Sequence, residues 1–355
     1  MEPLSCKDAS AVRAGAPEEL PGAATDVGEN AGALPDRLNQ LMRGFMPSRC
    51  ILTALELDLF TAIGDGASAE VIAAKIHTDA RATAMLLNAL VALQLLTKQD
   101  DVYRNMPEPA RFFVQGSQEN QREGLLHTAN IWHRWSTLTD AVRSGTCIPI
   151  DRSGAPEWTV NFIAGMQQNS LHRAPQVVKA LGTAGVRSIL DLGGGSGIYS
   201  VAFAQACPDL HSEILDLPAV VPLTNDYIAK AGVAAQVSIR AGDMLRDDFG
   251  TGYDLILLNA ICHMFSAEQN LEIFRRARRA LAPNGRLAVQ DFILDSDKTG
   301  PLQAVLFSLN MLVGTEAGAS YSASEYAAWM KTAGFAGVRQ INLAGPSDLI
   351  VGLVT

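Results

Sequence analysis

The sequence predicts an α/β protein in which a helical first part precedes a parallel sheet. Three observations carry this. From Ser188 onward, short apolar strands alternate with helical stretches, a rhythm that calls for a parallel sheet with right-handed crossovers. Before that point, apolar residues recur at three- and four-residue spacing, the period of amphipathic helices. The chain closes on two strands, 337–343 and 349–354, separated by AGPSD, which reads as an antiparallel hairpin.

Residues 1–35, rich in Ala, Gly, Pro and Glu and without periodicity, are expected to be a flexible tail. From Asp36 the pattern is helical. CILTALELDLFTAI (50–63) runs until Gly64-Asp65-Gly66 stops it, and ASAEVIAAKI and TDARATAMLLNALVALQLL follow as helices. TKQDDVYRN (97–105) reads as a short hairpin. Helix, helix, helix, hairpin is the layout of a winged helix. A winged helix that reads DNA should be basic, yet between Asp36 and Glu108 seven Lys/Arg face nine Asp/Glu, net −2. That argues against DNA. Residues 125–143, with Trp132 and Trp135, are expected to form one amphipathic helix, 145–156 a loop, and 162–181 another helix. In the sheet region the strands are expected at 188–192, 213–216, 237–241, 253–259 and 286–292, with helices centred near Ala204, Ile228 and Phe274.

Composition bounds the rest. With 355 residues, 48% of them hydrophobic, the chain has room for two domains of roughly 100–200 residues each. The expected division is tail 1–35, helical domain 36–150 and sheet domain 151–355. A net charge of −9 argues against nucleic-acid and anionic-membrane partners. The five cysteines are scattered without a CxxC, so neither a disulfide framework nor a zinc ribbon is suggested, and the six histidines show no metal-ligand spacing. The apolar run 85–96 is too short to span a bilayer, and the N-terminus carries charges where a signal peptide needs an apolar stretch. A soluble, cytoplasmic protein is expected.

The sharpest motif is ILDLGGGSGIYS (189–200), an apolar strand, a glycine turn and a helix start, at the carboxyl end of a strand where open sheets bind ligands. Its glycines let backbone N–H groups approach a ligand without side-chain hindrance. A dinucleotide fingerprint needs a third glycine where Ile198 stands, so that pattern fails. What remains, Asp191-x-Gly193-x-Gly195-x-Gly197, resembles the S-adenosylmethionine (SAM) loop of class I methyltransferases. SAM has no pyrophosphate to hold. It has an ammonium that Asp191 could draw in and a carboxylate that loop N–H groups can hold. Asp216, closing the second strand with Leu217 after it, is spaced to accept both ribose hydroxyls. Asp243, in AGDML, stands where the adenine amino group would be read, with Met244 against the ring.

Several further blocks agree in order: GFM…ALELDLFTAI, LLNALVALQLL, FIAGMQQNS, DLPAVV, ICHMFSAE, LAPNGRLAVQDFIL and YSASEYAAWMKTAGF. With them, residues 36–355 resemble the plant-type small-molecule O-methyltransferases and their bacterial relatives, the caffeate/acetylserotonin/hydroxyneurosporene group. The resemblance implies a Rossmann-like class I methyltransferase domain with a seven-stranded sheet, a winged-helix-like dimerisation domain that intertwines two subunits, and no metal. It implies a catalytic base at His263, oriented by an acid among Asp291 and Glu316. It places Ser170 near the SAM carboxylate, Asn259 at a cofactor position that is Lys in plant members, and Met166 as a substrate clamp. Phe162, Trp135 and Met311 would line the acceptor pocket. The sequence departs from the family where His-Asp-Trp is expected and His263-Met264-Phe265 stands, and near Ser320, where the nearest acids are Glu316 and Glu325.

Those departures keep two chemistries open. Methyl transfer from a sulfonium is an in-line displacement in which the protein supplies alignment and a desolvated pocket. A base is needed only when the nucleophile has a proton to lose. A hydroxyl does, and histidine suits the task because its pKa lies near working pH. A thioether does not, and relatives in this superfamily methylate a methylthio-hydroxy acid on the route to dimethylsulfoniopropionate. That site needs an aromatic wall and a cation for the substrate carboxylate, for which Trp132, Trp135, Tyr321 and Arg143 are available. A SAM-binding protein without transfer activity is the alternative from another class. The run Arg275-Arg276-Ala277-Arg278-Arg279 is expected to be the solvated face of a helix.

Overall fold

The computed structural model describes residues 34–150 and 157–354. The expected tail at 1–35 lies almost wholly outside the described residues, as does the second half of the expected loop at 145–156. The chain divides into two compact units, one ending at Phe45 and the other starting at Met46. The first contains α1 (Asp36–Arg43), with an acid in its first turn and a base in its last, the favourable order for the helix dipole.

The helical part continues with α2 (Phe45–Glu56), α3 (Leu59–Ile63), α4 (Ala69–Lys75) and α5 (Ala80–Ala92). The expected helix over 50–63 is interrupted because Asp58 takes a left-handed conformation (φ 52°) and its carboxylate accepts the Thr61 hydroxyl at 2.7 Å. Side chains start the next two helices: Ser68 accepts the Val71 N–H and Asp79 the Ala82 N–H. The hairpin β1 (Leu96–Gln99) and β2 (Val102–Asn105) turns on Asp100 and Asp101, both at positive φ, as a two-residue hairpin requires. Then come α6 (Pro107–Phe112), α7 (Arg122–Trp135) and α8 (Leu138–Ser144). The single helix expected over 125–143 is thus two. The Ser136 and Thr137 hydroxyls donate back to the carbonyls of His133 and Arg134 at 2.7 and 2.8 Å, competing with the helical ladder.

The helix expected over 162–181 is also split, into α9 (Trp158–Ser170) and α10 (Arg173–Leu181). Pro175 has no N–H for the Leu171 carbonyl and is tolerated only in the first turn of a new helix. The alternation that follows matches the expected rhythm: β3 (Ser188–Leu192), α11 (Ile198–Ala206), β4 (His211–Asp216), α12 (Val221–Lys230), β5 (Val237–Ala241), β6 (Tyr253–Asn259), α13 (Ala267–Ala280) and β7 (Leu281–Asp291). After β7 the chain adds β8 (Ile293–Leu294), α14 (Leu302–Gly314), β9 (Tyr321–Ser322), α15 (Ala323–Thr332), β10 (Ala336–Ile341) and β11 (Asp348–Leu353).

The seven-stranded sheet has the order β10-β11-β7-β6-β3-β4-β5. Strands β3 to β7 are parallel, while β11 runs antiparallel to β7 and to β10, as the terminal hairpin predicts. The order reverses between β3 and β6, so the carboxyl ends of these two strands open a crevice at the switch point. Both central strands are apolar and buried nearly throughout, as parallel strands covered on both faces must be. No helix among the described residues is long and apolar enough to cross a membrane.

Candidate active site

The crevice is built from strand ends. Asp191, next to last in β3, is fully buried; one carboxylate oxygen accepts the Ser200 hydroxyl at 2.8 Å, and the other has no hydrogen-bond partner. Burial pushes its pKa up to about 7, against the lowering effect of the Ser200 bond. The glycine turn folds over it. Gly193 takes φ +67°, and a Cβ there would lie 2.8 Å from the Met244 methyl and 3.0 Å from Ile261. Gly195 takes φ +58° and donates its N–H to Asp216 at 2.8 Å. Asp216, at the end of β4, also accepts the N–H of Leu217, which is itself exposed; burial raises the Asp216 pKa.

Asp243 and Met244 follow β5 in a tight turn. The Asp243 carboxylate accepts the Leu245 N–H at 2.9 Å, its own N–H donates to Asp247 at 2.7 Å, and Met244 is buried with its methyl toward the glycine turn. Asn259 ends β6 with both side-chain polar atoms buried and unpartnered. Ser170, at the end of α9, bonds Tyr199, and Ile163 one face-repeat earlier reaches the Cβ position of Gly195 at 3.7 Å. The structure therefore brings Asp191, Gly193, Gly195, Asp216, Met244 and Ser170 around one glycine turn. The orphaned Asp191 oxygen and Asn259 amide, beside a glycine turn whose backbone carries no side chains, fit a group with an ammonium and a carboxylate.

The second half of the crevice holds His263, on a short 3-10 turn, Cys262–Met264, after β6. Asn270, fully buried on α13, donates to the carbonyls of Cys262, Phe265 and Ser266 and so fixes that turn. His263 Nδ1 lies 2.6 Å from Asp291 Oδ1, and the His263 backbone N–H donates to Asp291 Oδ2 at 3.1 Å. Asp291 ends β7, the neighbour of β6, so adjacent strands deliver the pair. Its carboxylate accepts two more bonds, from the Phe292 N–H at 2.8 Å and the Tyr326 hydroxyl at 3.0 Å. A carboxylate cannot donate, so an Nδ1–H faces Asp291, and in the neutral ring the lone pair is then on Nε2. Phe307 meets the imidazole edge-on at 4.7 Å between centroids and stacks on Phe292 at 4.0 Å.

Glu316 is not beside the histidine. Its side chain is exposed and its carbonyl accepts the Thr146 hydroxyl at 3.0 Å. The GTEAG turn meets the backbone of His263 instead of its ring, with Gly318 so close that a Cβ would stand 2.3 Å from the His263 carbonyl oxygen. Of the expected acceptor-side residues, Phe162 packs its ring against His127 at 5.2 Å, Met166 sits half-buried one turn further along α9, and Met311 is buried in α14. The Trp135 N–H donates to Asn310 at 2.9 Å, tying α7 to α14. Arg143 stands at the surface, its side chain 74% exposed and paired with Asp140 at 2.9 Å. Tyr321 gives its hydroxyl to the Phe265 carbonyl at 2.6 Å.

Sequence reasoning missed Tyr326, Phe307 and His127. Tyr326 follows a Ser322–Glu325 capping box at helical spacing, which marks a helix start but not the direction of the ring. Phe307 lies in an apolar helix where any large residue reads as core. His127, whose pKa burial and the nearby Arg134 charge lower to about 4, carries no motif at all.

A family model described as an O-methyltransferase domain matches residues 135–336, and one described as an O-methyltransferase dimerisation domain matches residues 39–116. A 3-hydroxy-5-methyl-1-naphthoate 3-O-methyltransferase of Streptomyces sahachiroi is 32% identical, covering 88% of this chain and 92% of its own. An acetylserotonin O-methyltransferase of Bos taurus is 28% identical, covering 88% and 96%. The solved structure of PigF with S-adenosylhomocysteine (SAH) superposes with a TM-score of 0.83 at 30% identity, over 90% of this chain and all of that one.

Proposed function

Because this chain belongs to the O-methyltransferase family, a SAM-dependent group acting on small molecules, we propose that it methylates a hydroxyl on an aromatic acceptor with His263 as the general base. The observation that carries this reading is the buried His263–Asp291 pair at 2.6 Å, which leaves Nε2 as the one ring nitrogen free to take a proton. A thioether has no proton to lose, so that pair has no work in S-methylation. Arg143, the cation a methylthio acid requires, is at the surface with Asp140. The phenolic relative from Streptomyces and the Phe292–Phe307 stack beside His263 both favour a flat aromatic acceptor.

SAM supplies a methyl group already activated by its sulfonium. In our reading Asp191 and Asn259 bind its amino-acid end, with Gly193, Gly195 and Ser170 around them; Asp216 and Leu217 hold the ribose; Asp243 and Met244 hold the adenine. Asp291 keeps His263 in the Nδ1–H tautomer and stabilises the imidazolium that forms as Nε2 takes the hydroxyl proton. Phe162, Met166, Trp135 and Met311 exclude water and align the acceptor. Residues 36–150, winged-helix-like, pair two copies of the chain, and 151–355 carry the chemistry.

The test is SAH release from SAM with two acceptor panels run together, phenols and polyketide alcohols in one, methylthio acids in the other. Turnover in the first panel is expected. Turnover confined to the second would replace this reading with S-methylation, and none in either with SAM at saturation would favour a binding protein.

A further inference from the structure

The arginine run on α13, expected to be a solvated face, contains one residue that differs from the others. Arg275 and Arg279 reach Glu272 at 3.7 and 3.5 Å, and Arg278 donates to the Gly334 carbonyl. Arg276 instead turns toward the β5 side of the crevice. Its guanidinium donates through Nη1 to the Met244 carbonyl at 2.5 Å and through Nη2 to the Asp247 carbonyl, and it lies 4.2 Å over the ring of Phe249. The two carbonyls belong to the turn that carries Asp243 and Met244, which Asp247 also closes by accepting the Asp243 N–H at 2.7 Å. Met244 in turn holds its methyl against the Gly193 side of the glycine loop.

We propose that Arg276 is a positioning residue for the adenine side of the SAM site. Its rigid fork spans both ends of the 243–247 turn and sets how far Asp243 and Met244 stand from the glycine loop. The planar guanidinium suits this because two parallel N–H groups fix direction as well as distance, and its flat face stacks on Phe249. An ammonium can satisfy one carbonyl but cannot hold the pair in register. The inference rests on the reading of Asp243 and Met244 as the adenine-binding residues.

The experiment measures calorimetric Kd for SAH and for S-inosylhomocysteine, whose hypoxanthine lacks the amino group, with the full-length chain and the variants Arg276→Met, Arg276→Lys, Arg275→Met and Asp243→Asn. Arg276→Met is expected to weaken SAH by about 10-fold or more, the cost of losing charge-assisted bonds, and to narrow the preference for SAH over the inosine analogue. In turnover the loss should fall on KM for SAM and not on kcat. Arg275→Met should leave both affinities as they are. A merely structural arginine lowers stability without changing the preference between the two analogues. A folded Arg276→Met variant with SAH affinity within twofold of wild type, or with the preference unchanged, overturns the proposal. If that variant does not fold, Arg276→Lys is judged by the same criteria. If Asp243→Asn keeps the preference, the adenine reading of Asp243 fails, while the SAH affinity of Arg276→Met still decides whether Arg276 positions the cofactor site.

Discussion

The imidazole of His263 and the carboxylate of Asp291 meet at 2.6 Å in a space where the two side chains are only 7% and 1% exposed. The acid comes from the end of β7, and the histidine from the turn after β6 that Asn270 holds. Asp291 accepts four hydrogen bonds, two of them from His263. Such a carboxylate is fully engaged and cannot rotate away from the ring.

Asp291→Asn should therefore impair the reaction and the fold together. An amide at this position offers one oxygen where the carboxylate offers two, and its NH2 opposes one of the two His263 N–H donors. The kcat is expected to fall by about 10²-fold or more, as the base loses its tautomer and orientation. Stability should fall by about 1–3 kcal/mol from the bonds left unmade in a buried site. Steady-state turnover and urea unfolding of the same preparation check both, and unchanged kcat would mean that the pair is structural.

Gly193→Ala should abolish SAM binding while leaving the chain folded. The φ of +67° disfavours any side chain, and the added methyl would press on Met244 and Ile261 where the loop turns back toward β4. A loss of about 100-fold or more in SAH affinity by calorimetry is expected, because a side chain strains the left-handed turn and displaces Met244 from its place beside the loop. Retained affinity would show that the glycine serves the turn alone.

Asp191 gives a pH dependence with a definite sign. Burial raises its carboxyl from 3.8 to about 7, so across that window the folded, ligand-free protein holds a proton that the unfolded chain releases. Its contribution to stability is fully present below about pH 4 and is lost as the pH rises through about 7. A bound ammonium favours the ionised carboxylate and reverses the balance. The thermal shift produced by SAM should therefore grow between pH 5 and 8, and Asp191→Asn should flatten that growth. An equal shift at both pH values in the wild type would show that the ammonium does not reach Asp191.

How much of this was legible in the sequence depended on the range of the interactions. Strand rhythm and the glycine turn are local, and each expected strand of the sheet is present near its expected place. β7 starts at Leu281, five residues before the expected 286, because its early residues pair irregularly with Tyr253. The helix breaks at Asp58, Ser136 and Leu171 were missed because apolar spacing continues across them, while a left-handed aspartate, two back-bonding hydroxyls and Pro175 decide the backbone. In the site, Asp291 and Glu316 were equal candidates beside His263. The choice between them rests on strand adjacency, since β6 and β7 are neighbours while Glu316 follows α14 on a turn that faces the His263 backbone. Arg276 looks solvated from sequence because its charge is visible there and its two carbonyl partners, about thirty residues away, are not.

The central claim is that His263 removes the proton of a hydroxyl acceptor, and His263→Gln tests it most directly. Gln keeps the size and a polar tip but cannot act as a base. With SAH affinity held near the wild-type value, kcat for a phenolic acceptor should fall by about 10²–10⁴-fold. A His263→Gln enzyme that turns over the same acceptor at the wild-type rate would contradict the account.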